Sequence, residues 1–60
     1  MGKQIAVYKL LDEDNFAVDT QCFLLPISQE TRTKIETMME IHFRAFPLGG
    51  VIQFNEDVPS

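Results

Sequence analysis

The sequence predicts an α+β domain of order β-β-α-β, a three-stranded antiparallel sheet with one amphipathic helix on one face. Three observations carry this. Two stretches rich in β-branched, aromatic and aliphatic residues, QIAVYKLL (4–11) and FAVDTQCFLL (16–25), flank the polar cluster Asp12-Glu13-Asp14-Asn15, as in a hairpin. Apolar residues then recur at helical spacing from about Gln29 to Phe46. A short apolar stretch, VIQFN (51–55), closes the pattern after a proline and two glycines.

In the first strand Ile5, Val7 and Leu11 share one side with Lys9, while Ala6, Tyr8 and Leu10 form the other. A strand apolar on both sides belongs at the centre of a sheet. In the second, Phe16, Val18, Cys22 and Leu24 share a face, with Ala17, Asp19, Gln21, Phe23 and Leu25 opposite. Pro26 ends this strand because it has no amide to give a ladder. Ser28 suits a helix N-cap, and Glu30 sits near the positive end of the helix dipole. Glu30–Lys34, Arg32–Glu36 and Glu40–Arg44 are oppositely charged at i, i+4, consistent with a helix. Pro47 stops it, since the residue before proline is driven from the α region. Gly49-Gly50 turns the chain into the third strand. A single domain over 1–55 follows, with 56–60 a short acidic, frayed tail. Docking of the third strand beside the first gives the sheet order 2-1-3.

Sixty residues with a net charge of −4 bound the function. A chain this short buries only about 60% of its unfolded surface and commonly needs a disulfide, a metal or a second subunit. One cysteine excludes an internal disulfide, and one cysteine with one histidine cannot supply a structural zinc site. Homodimerisation is the remedy left. The acidic balance argues against a nucleic-acid partner, whose phosphates require lysine and arginine. No stretch reaches transmembrane length or forms a signal-peptide core, and Ala6 breaks the myristoylation pattern after Met1-Gly2. With its unpaired cysteine, the chain reads as cytoplasmic, without a membrane partner.

Few residues could carry chemistry. His42 falls within the arc of Thr31, Ile35, Met38 and Phe46 on the helix, which favours a packed histidine with satisfied nitrogens, then an interface, over catalysis. Cys22 with His42 is the one conceivable nucleophile–base pair. No glycine-rich turn or helix N-terminus follows Cys22 to activate it, so a small core hydrophobe is the simpler role. Asp12, Glu13 and Asp14 lack the glycine and distant glutamate of a calcium loop, leaving a solvated turn or an acidic contact patch. Phosphate-binding, dinucleotide and metalloprotease motifs are absent, so no cofactor or metal is expected.

What remains is surplus apolar surface. Met38, Met39, Ile41 and Phe43 on the helix, and Val18, Thr20 and Cys22 on an edge strand, are the expected protein interface. The reading is a small acidic, non-enzymatic inhibitor or regulatory adaptor that occupies a site on a larger, basic protein. Phage-encoded inhibitors of host systems, anti-defence proteins among them, often have this size and this lack of machinery. The alternative is a small enzyme with a Cys22/His42 site at a dimer interface.

Overall fold

β1 (Lys3–Leu11), β2 (Ala17–Leu24), α1 (Gln29–Ala45) and β3 (Gly50–Val58) follow one another in the computed structural model, which describes residues 2–59. The sheet order is β2-β1-β3, and both pairings with β1 are antiparallel. The expected order 2-1-3, with the two-sided apolar strand at its centre, is therefore the observed one.

The hairpin tip is built by Asp12. Its Oδ1 accepts from Asp14 N at 2.8 Å and from Phe16 N at 3.0 Å. Asp12 N donates to Phe16 O at 2.9 Å, and Asn15 takes the left-handed φ of 66° that asparagine tolerates. Asp12 Oδ1 is thus a structural member of the loop, while Glu13 and Asp14, its neighbours in the expected acidic patch, are exposed. Just beyond, the register slips between Leu10 and Leu11: Leu10 faces Asp19 and Leu11 faces Ala17. Val18 is the extra residue of a β-bulge. It joins Asp19 on the helix side instead of lying with Cys22 and Leu24, as uninterrupted alternation implied.

α1 begins as its sequence dictates. Ser28 Oγ accepts from Thr31 N at 3.2 Å, satisfying one orphan amide of the first turn. At the other end Phe46, the last expected helical residue, is the C-cap, its amide donating to His42 O at 2.8 Å. Of the three expected charge pairs, only Glu40–Arg44 forms among the described residues, at 3.2 Å on the exposed face. Exposed pairs of this kind stabilise a helix by only about 0.3–0.5 kcal/mol, so the two that do not form cost little.

β3 runs to Val58, through residues expected to fray. Glu56, Asp57 and Val58 pair with Ile5, Gln4 and Lys3. The nine-residue β1 offers a ladder partner at each position, and main-chain hydrogen bonds outweigh the poor strand propensity of Glu and Asp. Pro59 follows the strand, and Ser60 lies outside the described residues.

The core is thin. Ala6, Val7, Leu10 and Ile35 are its buried apolar residues, and His42 is buried with them. Ala6 and Leu10 face the helix. Val7 points the other way and is covered by its cross-strand neighbours Cys22 and Phe54. The molecule measures 39 × 23 × 11 Å along its principal axes. Its radius of gyration, 12.5 Å, exceeds the value of about 10 Å typical of a compact chain this long.

Candidate binding surfaces

Two apolar surfaces are left open, one on each side of the sheet. The first follows from strict alternation. On the side away from α1, successive rungs read Leu24–Ile5–Glu56, Cys22–Val7–Phe54 and Thr20–Lys9–Ile52, and Val58 stands opposite Lys3 beyond them. β3 thereby turns Ile52, Phe54 and Val58 outward, and sets Gln53, Asn55 and Asp57 on the helix side. Leu24 is 62% exposed and Ile52 49%. Lys9 Nζ lies 5.9 Å from the Phe54 ring centroid, its stem crossing the middle of this face. A sheet whose uncovered side is the more apolar one is unusual for an isolated domain, because transfer from water favours the reverse by about 25 cal/mol per Å².

The second surface is a groove of about 710 Å³ between α1 and β2. Met38, Ile41 and Ala45 form its helix side and Val18 its sheet side, with Leu10 and Phe46 also lining it. Lys34 stands at one end. Its ammonium makes no ion pair among the described residues. Asp19 also lines the groove, but its carboxylate is occupied: Oδ1 accepts from Thr20 N at 2.9 Å and Oδ2 from Gln21 Nε2 at 3.0 Å. At the opposite end Asp12, Glu13 and Asp14 come together with Ala45 and Phe46, the last turn of the helix.

His42 lies in the groove lining with only 5% of its surface exposed. Its ring packs 5.3 Å from that of Phe46 and edge-on to Phe43 at 5.2 Å. The expected satisfied core histidine is half realised: the burial is present, but Nε2 is buried with no hydrogen-bond partner among the described residues. An orphan of this kind costs about 1–3 kcal/mol.

The expected interface residues divide among three places. Val18, Met38 and Ile41 line the groove. Thr20 and Cys22 belong to the open sheet face. Met39 and Phe43 are absent from the groove lining, Met39 half-buried and Phe43 exposed. Cys22 is exposed rather than a core hydrophobe, because β2 is an edge strand and no described element covers that face. It also points away from His42. Cys22 pairs with Val7 on the open face while His42 lies with Leu10 on the other, so one chain does not bring the two together. Thr20 bears on the strand edge as well as on the face. Its amide donates to the Asp19 side chain, which blunts the β2 edge at its middle.

Among the described residues no three of His, Cys, Asp and Glu are placed to hold a metal ion, and no helix is long and apolar enough to cross a membrane. Comparison of the chain with family models, with characterised proteins and with solved structures found no match.

Proposed function

We propose that this chain is a cytoplasmic, non-enzymatic binding protein, an inhibitor or regulatory adaptor that acts by occupying a site on a larger protein. The observation that supports it is the inverted alternation of β3, which commits Ile52, Phe54 and Val58 to the open face alongside Leu24 and Ile5. An apolar face of this kind, interrupted by Lys9 and Glu56 and left uncovered, fits a protein contact. Catalysis would require a cleft with convergent polar groups. The net charge of −4 favours a partner whose apolar patch is rimmed by lysine and arginine.

The test compares the wild-type chain with Leu24→Glu and Ile52→Glu, each tagged and recovered from its native cell. Both side chains are exposed, so the fold persists. Recovery of the wild-type partner should drop at least about tenfold for either variant, as for loss of an interface anchor. Equal recovery by folded variants overturns the assignment to this face.

A further inference from the structure

A typical monomer of 6.9 kDa exposes about 4,000 Å². This chain exposes 4529 Å², an excess of about 500 Å², which matches one side of the smallest stable protein interface. Two apolar surfaces stand open, the sheet face and the α1–β2 groove, and the details of the groove point to the molecule that covers it.

Lys34, Met38, Ile41 and Ala45 succeed one another at spacings of four, three and four residues. That is the seam of a helix made to pack lengthwise against a second helix. All four line the groove. Ile41, near the middle of the seam, is 61% exposed. The charges are polar along the axis. Lys34 is unpaired at one end, and the acidic hairpin tip adjoins Ala45 about 16 Å away at the other. Within the tip, Asp12 is spent on the loop, while the side chains of Glu13 and Asp14 make no hydrogen bond or ion pair among the described residues.

We infer that a second copy of this chain covers the groove, the two α1 helices antiparallel about a two-fold axis and Lys34 of each copy beside Glu13 and Asp14 of the other. The two-fold makes the contact self-complementary and closes it at two copies. Only the antiparallel sense matches the charges. A parallel pair sets lysine against lysine and acidic tip against acidic tip, whereas the antiparallel pair places each lysine near a helix C-terminus and a carboxylate cluster. Strand-edge pairing is the weaker route, because the bulge at Val18 and the Asp19–Thr20 bond disrupt the β2 edge. This dimer uses a different surface from the partner contact proposed above and does not depend on it.

Sedimentation equilibrium of the purified full chain at micromolar concentration tests the inference. The wild type should give twice the single-chain mass. Ile41→Glu should give the single-chain mass with an unchanged circular-dichroism spectrum, since the side chain is exposed in the monomer. Lys34→Glu should raise the dissociation constant about tenfold, two charge contacts being lost at once. Adding Glu13→Lys and Asp14→Lys to that variant should restore it to within about threefold of wild type. Leu24→Glu should leave the dimer intact. A wild type at the single-chain mass overturns the inference, whatever else then binds the groove. A dimer broken by Leu24→Glu but indifferent to Ile41→Glu overturns it too, and moves the contact to the open sheet face.

Discussion

Gly49 and Gly50 differ sharply although they are adjacent at the entry to β3. A Cβ on Gly49 would run into Leu11 O and lie 3.0 Å from Phe46 Cβ and 3.2 Å from Phe46 O, mostly backbone that cannot swing away. A Cβ on Gly50 meets only Leu11 Cδ1 at 3.9 Å, an ordinary contact. Gly49→Ala should therefore cost about 1–3 kcal/mol, as overpacking does, and Gly50→Ala close to nothing; urea midpoints of the two variants measure the contrast. His42 invites the opposite experiment. Replacing the imidazole by a phenyl ring keeps the stacking with Phe46 and removes the orphan Nε2. His42→Phe should be neutral or stabilising by about 1 kcal/mol in the same assay. A loss of more than that would show that Nε2 has a partner in solution.

At the scale of elements, α1 depends on its first turn. Ser28→Ala removes the Oγ that accepts from Thr31 N and should cost about 1 kcal/mol by thermal or urea unfolding. Glu40→Gln on the exposed face should stay within about 0.5 kcal/mol of wild type, because its pair with Arg44 is solvated. Much of this level was legible in the sequence. Ser28, Pro26 and Pro47 mark boundaries by local chemistry alone, and the two-sided apolar β1 had to be central. What was not legible depends on partners distant in the chain. Glu56-Asp57 reads as tail until Gln4 and Ile5 are known to pair with it. The bulge at Val18 is invisible because one extra residue leaves composition unchanged while it reverses the faces downstream. Cys22 was assigned to the core from the habit of its residue type, yet an edge strand leaves it exposed. Of the residues expected at an interface, Met38 and Ile41 stand together on one flank of the helix, lining the groove, as helical period implies. The outward face of β3 was missed, although the alternation of Ile52 and Phe54 with Gln53 and Asn55 contained the signal.

Seen whole, the molecule is a slab with two usable sides, and Cys22 gives a simple probe of one of them. It should react with a bulky maleimide in the folded protein, and the adduct should block partner capture through the open face while the sedimentation mass of any dimer is unchanged. Retained capture by the fully labelled protein would move the partner contact elsewhere. The sheet order also sets the timing of assembly. The β1–β2 ladder joins segments close in sequence, whereas the β1–β3 ladder joins Lys3 to Val58 across almost the full length of the chain. A hairpin closes in about 1–10 μs, but closing so long a loop carries an entropy cost that local contacts must first offset. The hairpin and the capped helix are thus expected to order before β3 docks. Destabilising changes at the β1–β2 pairing should slow folding, and equal changes in β3 should act mainly by speeding unfolding. Until β3 arrives, the second edge of β1 and the apolar residues Ile5 and Val7 beside it stay open to other chains. The central strand, the best protected element of the finished sheet, is on this account the most vulnerable while the protein is folding.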